Sequence, residues 1–251
     1  MYTAFNLSLY DKSYFIDKNY YINGLKIYER VKKCALSNLE EIIQEDIIDG
    51  DKLQNMWFPD EFFYKENYVF ISHSHNDEET AIKLAGYLYE KFRIKSFIDS
   101  CVWQHMDILN KQLNNCTKDK YNNCYGCECS EFSYNISHVH MMLASALMKM
   151  IDKCECMFFL NTSSSINLND KTESPWIYYE LNIASIIQKV SKVEMPVMEN
   201  ALCFKRKIEF TPNLEKMIKI NELFLEKWKN KYNPLYDDPF SVLYTICGGV
   251  D

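Results

Sequence analysis

The sequence predicts an α/β protein in which a parallel β-sheet carries helices on both faces. Two continuous apolar runs rich in β-forming residues, at 68–71 and 156–160, are short enough to be strands buried on both sides. A third short strand is predicted at 95–99, and helix-like segments separate the three. Alternation of strand and helix is typical of a parallel sheet, which binds ligands beyond the carboxyl ends of its strands.

Residues 1–65 are predicted to form a helical N-terminal extension. Their apolar side chains recur at helical spacing, first over residues 25–39 and again over residues 42–47. Turn-forming residues at 49–51 and Pro59 then mark the end of this segment. We therefore place a domain boundary just before the first predicted strand.

Residues 66–200 are predicted to form the central α/β domain. After the first strand, Asn76 can cap a helix that has Glu79 at its third position, and the apolar side chains of this helix fall on one stripe. Further helices are predicted at 105–115, 137–152 and 174–189. The last of these begins with a hydroxyl residue followed by proline, which is a favourable helix start.

Residues 201–251 are predicted to be a C-terminal extension packed on the central domain. It contains a late strand at 207–210 and an amphipathic helix at 214–232. The apolar stripe of that helix consists of Met217, Ile220, Phe224 and Trp228.

Composition excludes several classes of protein. The formal net charge is −7, so the chain offers no basic face for the phosphates of a nucleic acid. No apolar run approaches 18 residues, and charged residues interrupt the N-terminal segment where a signal peptide would be apolar. The six glycines form neither a dinucleotide-binding fingerprint nor a P-loop. We expect a cytoplasmic protein that binds neither membranes nor nucleic acids.

Ten cysteines in a chain without an export signal are expected to be free thiols or metal ligands. Cys124, Cys127 and Cys129, followed by His138 and His140, have spacings that could supply a tetrahedral zinc site. A second C-x2-C pair, in which two residues separate the cysteines, is missing. We therefore predict a cysteine-rich surface loop in preference to a metal site, with the two histidines in a helix-capping or packing role.

Trp176 and Glu180 are four residues apart on one predicted helix, so both lie on the same side of it. Either residue has a structural interpretation. A tryptophan near a helix start is commonly a core residue, and a glutamate there commonly interacts with solvent and with the helix dipole.

Three short motifs favour a functional interpretation of this pair. They are FISHS at residues 70–74, FID at residues 97–99 and SPWIYYE at residues 174–180, in this order within residues 66–200. Together they resemble the TIR (Toll/interleukin-receptor) domain family, in particular the bacterial TIR proteins of antiviral defence such as those of Thoeris systems. The resemblance implies a flavodoxin-like sheet and an enzyme that consumes NAD.

The resemblance also implies roles for individual residues. Glu180 would be the catalytic carboxylate, and the loop that begins at Asp99 would also mediate self-association. NAD would be the substrate, no further cofactor would be needed, and a downstream effector would sense the nucleotide product. The residues implied to contact the substrate are Ser72, His73, Ser74, Asp99, Ser100, Trp103 and Trp176. His73 and His75 can equally be exposed loop residues.

The chemistry of NAD suits a single carboxylate. Hydrolysis of a neutral glycoside needs one acid to protonate the leaving oxygen and a second carboxylate opposite it. Nicotinamide in NAD is already cationic and leaves as a neutral molecule, so no acid is required. An ionised Glu180 could then stabilise the oxocarbenium ion that develops on the ribose.

Two alternatives remain open at the level of sequence. A non-enzymatic TIR adaptor would act only through self-association and would need neither Trp176 nor Glu180. An enzyme similar to nucleoside deoxyribosyltransferases would share the sheet architecture and a catalytic glutamate. The sequence does not decide whether an NAD-cleaving enzyme would release linear ADP-ribose, a cyclic isomer or a conjugate.

Overall fold

The computed structural model describes residues 3–36, 68–100, 128–187 and 209–248. Five strands form one parallel sheet, and their spatial order is β3-β2-β4-β1-β5. The strands are β1 (Thr3–Leu7), β2 (Tyr68–Ser72), β3 (Lys95–Ile98), β4 (Cys156–Leu160) and β5 (Ile218–Ile220). The predicted α/β class with a parallel, flavodoxin-like sheet is confirmed.

Six α-helices accompany these strands in the described residues. They are α1 (Lys18–Leu36), α2 (Glu78–Phe92), α3 (Glu128–Lys153), α4 (Pro175–Ile187), α5 (Glu222–Lys231) and α6 (Pro239–Gly248). α1 packs against α2, and α3 packs against α4. The crossover from β2 to β3 runs in the opposite direction to the crossover from β3 to β4. Since such crossovers are right-handed, α2 and α3 lie on opposite faces of the sheet.

Two of the five strands lie in the predicted extensions. Residues 3–7 were expected to be helical, but they form β1, which pairs with β4 on one side and β5 on the other. The residues from 214 to 232 were expected to be one helix, but they contain β5 followed by α5. Of the late strand expected at 207–210, Phe210 forms a single antiparallel bridge with Thr172. The domain boundaries at 65 and 200 stay predictions.

Aromatic stacking joins the sheet to the C-terminal helices. Phe5 of β1 stacks on Phe158 of β4 with ring centroids 5.0 Å apart. Trp228 of α5 is fully buried, stacks on Phe92 of α2 at 3.8 Å, and lies parallel to Phe158 at 6.4 Å. Its indole N–H donates a hydrogen bond to the carbonyl of Pro239, at the start of α6. Each buried aromatic ring of this kind contributes on the order of 2 kcal/mol through removal of apolar surface from water.

α1 and α2 cross so closely that only glycine fits at the contact. A Cβ atom on Gly24 would lie 1.8 Å from the carbonyl oxygen of Ile82, and one on Gly86 would lie 1.7 Å from the carbonyl oxygen of Tyr20. Both obstacles are backbone atoms, so no side-chain movement can relieve the overlap. None of the helices within the described ranges is long and apolar enough to cross a lipid bilayer.

Candidate functional site

The carboxyl ends of β2 and β3 bring two polar side chains together. Ile71 pairs with Ile98, so by the same register the next residues, Ser72 and Asp99, lie side by side and project from one face of the sheet. Ser72 also pairs with Phe159 of β4. The helices that follow β2 and β4 lie on opposite faces, and ligands of doubly wound sheets bind at the carboxyl edge between two such strands.

α4 supplies a third polar group to this edge. The helix begins at Pro175 as predicted, and the Ser174 hydroxyl oxygen accepts a hydrogen bond from the N–H of Ile177 at 3.3 Å. Spacings of three and four residues place its buried side chains on one stripe that faces the core. These side chains are Ile177, Glu180, Leu181 and Ala184. A carboxylate on an apolar stripe costs free energy, which marks Glu180 as a candidate functional residue.

Glu180 is 0% exposed and faces Ser72 and Asp99. The Ser72 hydroxyl donates a hydrogen bond of 2.6 Å to its Oε2 atom. Burial raises the pKa of Glu180 well above 4.5, the negative charge of Asp99 raises it further, and the hydrogen bond from Ser72 only partly opposes these effects. In the described residues no N–H or O–H group donates to the buried Oε1 atom. An unpartnered carboxylate oxygen is costly to bury, which also favours the protonated form of Glu180.

His73 completes a buried cluster with these residues. Its Nδ1 atom lies 2.8 Å from Oδ1 of Asp99, and both side chains are almost fully buried. The direction of the ring N–H does not meet hydrogen-bond geometry, so the contact is electrostatic. Burial alone would lower the pKa of His73, but the charges of Asp99, Glu78 and Asp77 raise it. Of the two interpretations of His73 and His75, the exposed one is wrong for His73 and correct for His75.

Two serines flank the cluster. The backbone N–H of Ser100 donates a hydrogen bond of 2.9 Å to Oδ1 of Asp99, which fixes that carboxyl group beside His73. The Ser100 hydroxyl is buried, and no described residue donates to it or accepts from it. Ser74 lies at the edge of the buried region, and its carbonyl accepts a hydrogen bond of 2.7 Å from the N–H of Asp77. The backbone groups of these two serines therefore help to position the buried side chains of Asp99 and Asp77.

Trp176 lies one turn before Glu180, but its ring turns towards α3. The ring is half-buried and meets the edge of His140 at 5.8 Å, and it is 6.5 Å from the ring of Tyr179. α3 begins at Glu128, so His138 and His140 are in the interior of a helix that was expected to start near 137. The ring contact gives His140 the predicted packing role.

Several predicted positions lie outside the described residues. These are Trp103, Cys124 and Cys127, together with the side chain of Cys129. In the described parts of the chain, no group of three His, Cys, Asp or Glu side chains could hold a metal ion. The helix predicted at 105–115 also lies outside the described residues.

Sequence reasoning missed a polar link between α2 and the loop after β4. Asp77 is buried at the position before α2, where Asn76 was expected to be the cap. The Thr162 hydroxyl donates a hydrogen bond of 2.5 Å to Oδ2 of Asp77, and Ser165 closes the same loop by accepting from the Thr162 N–H at 2.8 Å. The only signal in the sequence is the run of polar residues directly after β4.

The structure thus brings together Ser72, His73, Asp99 and Glu180, with Ser74 and Ser100 beside them. Comparison with protein families, with curated proteins and with solved structures gave no match in any of the three. The chemistry of the site is therefore argued from its own residues.

Proposed function

We propose that the protein cleaves the N-glycosidic bond between nicotinamide and ribose in NAD, with Glu180 as the catalytic carboxylate. The observation that carries the proposal is a fully buried glutamate, beside a second acid, at the carboxyl edge between β2 and β4. Buried acids with strongly raised pKa values concentrate at functional sites. The resemblance of the three motifs to TIR domains supports the same assignment.

The state of Glu180 matches a cationic substrate. In the free protein, burial and Asp99 favour the protonated form of Glu180. A pyridinium ring placed against the pair brings a positive charge into the same low-dielectric space, which lowers the pKa of Glu180 and favours its ionised form. The ionised carboxylate then stabilises positive charge as it moves from the ring to the ribose. The nicotinamide leaves neutral, so the reaction needs no general acid.

The remaining residues of the site position this carboxylate. Ser72 donates a hydrogen bond to one oxygen of Glu180, and the negative charge of Asp99 lies beside the imidazole ring of His73. Ser74, Ser100, Trp103 and Trp176 are proposed to contact the substrate, and Trp176 does so by stacking. In this proposal the product is an ADP-ribose derivative that a downstream effector senses in antiviral defence, and the TIR domain self-associates.

Full burial of Glu180 adds a requirement for catalysis. The ribose must touch the carboxylate, which is 0% exposed, so the substrate reaches it only after neighbouring groups move. The same observation favours a second candidate, a TIR adaptor in which Glu180 is structural. The adaptor makes no NAD product under any condition, whereas the enzyme releases nicotinamide.

The first test is the replacement of Glu180 by Gln. We expect a fall in kcat for nicotinamide release of about 100-fold or more, because Gln keeps the shape and the hydrogen bond from Ser72 but cannot neutralise a developing cation. Nicotinamide and ADP-ribose products are measured by chromatography and mass spectrometry. The matched control is Glu79→Gln, which removes an exposed carboxylate paired with Lys83 on α2 and should leave kcat unchanged. Equal turnover by both variants would remove Glu180 from the mechanism.

A further inference from the structure

Separate from the buried cluster around Glu180, a cleft opens at the carboxyl edge of the sheet, beyond β4 and β1. Its volume is about 690 Å³, within the range of roughly 300–1,000 Å³ typical of small-molecule sites. Neither Glu180 nor any other member of the buried cluster lines it. The lining consists of Leu9, Thr80, Asn161, Thr162, Ser163, Ile166, Asn167, Leu168 and Asp170.

The floor of the cleft is fixed by hydrogen bonds within the protein. The side-chain hydroxyls that make these bonds have protein partners already. The Thr162 hydroxyl donates to Asp77, and the Ser165 hydroxyl donates to the carbonyl of Leu160 at 2.9 Å. These contacts join the loop after β4 to the start of α2. The floor is therefore preformed, which lowers the entropic cost of binding a ligand on it.

The rim of the cleft is a tight turn that presents an acidic side chain. The N–H of Asn167 donates to the carbonyl of Lys171 at 2.8 Å, and the side-chain oxygen of Asn167 accepts from the N–H groups of Asn169 and Lys171. Asp170 within the turn has a φ of 57°, in the left-handed region that Asp tolerates better than most residues. The turn is thus held in one conformation, with Asp170 at the cleft.

Four polar side chains in the cleft have no partner among the described residues. They are the hydroxyls of Thr80 and Ser163, the amide of Asn161 and the carboxylate of Asp170. Three aliphatic side chains accompany them, and one, Leu168, is completely exposed. None of the residues that line this cleft is Lys, Arg or His.

The residues that line the cleft indicate which class of ligand it can bind. A carboxylate in a lining that contains no cation repels phosphate but accepts hydrogen bonds from a pair of hydroxyls, as acidic residues do with the ribose of bound nucleotides. Aliphatic walls suit the flat face of a base, and an amide can pair with its edge. We propose that this cleft binds a nucleoside, with Asp170 on the ribose hydroxyls and the base between Leu9, Ile166 and Leu168. The assignment is independent of the activity proposed for Glu180.

The test titrates adenosine into the full chain and measures binding by calorimetry. Asp170→Asn keeps the left-handed turn but loses the charge, so we expect a Kd about tenfold higher or more. The control is Asp152→Asn, an exposed acid near the end of α3, which should bind adenosine as the wild type does. 2′-Deoxyadenosine should bind the wild type more weakly, and the Asp170 substitution should change that binding much less.

A second titration distinguishes the source of the nucleoside. If the cleft holds one half of a larger nucleotide, adenosine competes with ADP-ribose; if it holds a free nucleoside, both bind at once. Both outcomes support the site. Lack of saturation by adenosine, equal affinities for the wild type and Asp170→Asn, or equal affinities for adenosine and its 2′-deoxy form would overturn it. None of these readouts depends on turnover of NAD.

Discussion

Glu180, Asp99 and His73 place two acids and one base together in the buried interior of the protein. Burial and the neighbouring charge of Asp99 raise the pKa of Glu180, so this acid retains its proton to higher pH than an isolated glutamic acid does. His73 compensates one negative charge, and its raised pKa favours its cationic form. The raised pKa values therefore favour a protonated Glu180 and a cationic His73.

The raised pKa of Glu180 makes the free energy of unfolding depend on pH. The pKa of Glu180 is raised in the folded state, so its contribution to stability is complete below about pH 4.5 and is lost as the pH rises through the raised value. Over that interval each pH unit costs about 1.4 kcal/mol. We expect Glu180→Gln, which does not titrate, to become progressively more stable relative to the wild type as the pH rises above about 4.5, up to the raised pKa of Glu180. Urea unfolding at several pH values measures the difference in stability, and a difference that does not change with pH would contradict the raised pKa of Glu180.

Sequence motifs found Ser72, Asp99 and Glu180, because each is fixed by a strand end or a helix start that is visible in the sequence. Burial of Glu180 was not visible, since it depends on how α4 packs against the sheet. The link from Thr162 to Asp77 was missed for a related reason. It joins residues 85 positions apart, and nothing local in either segment requires it.

At the scale of elements, the contact between α1 and α2 depends on two glycines. We expect Gly24→Ala and Gly86→Ala to destabilise the fold by about 3 kcal/mol or more, because each new methyl group would overlap a backbone carbonyl and force the helices apart. The matched control is Gly248→Ala on α6, where an added Cβ meets no atom within 4 Å. Thermal and urea unfolding compare the three variants. A small cost at both helix-contact positions, similar to that of the control, would contradict the observed crossing.

Sequence patterns predicted β2, β3 and β4 and the helices between them, but not β1 and β5. Two of them, β2 and β4, contain continuous apolar runs, which is a strong signal, and β3 is a short segment between two predicted helices. β1 has the sequence TAFNL, in which Thr and Asn interrupt the apolar run, and β5 has three residues with a lysine at the centre. Short strands of this kind exist only because their neighbours offer backbone hydrogen bonds, and no local pattern reveals a distant neighbour.

At the scale of the molecule, β1 is an interior strand of the single sheet. Phe5 is fully buried between β4 and β5 and stacks on Phe158. We expect Phe5→Ala to destabilise the protein by about 3–5 kcal/mol, as loss of a buried aromatic side chain does. Ile16→Ala removes an apolar side chain that is 80% exposed and should cost less than about 0.5 kcal/mol. Urea unfolding curves measure the stability of the two variants. Similar unfolding midpoints would mean that residues 3–7 are not part of the core.

The interior place of β1 also governs the order in which the chain can fold. During synthesis residues 3–7 leave the ribosome long before their neighbours at 156–160 and 218–220. The interior position of β1 can therefore form only after residues 218–220 have been made. Such long-range pairing slows folding, and until it is complete the unpaired edge of β4 can recruit strands from other chains.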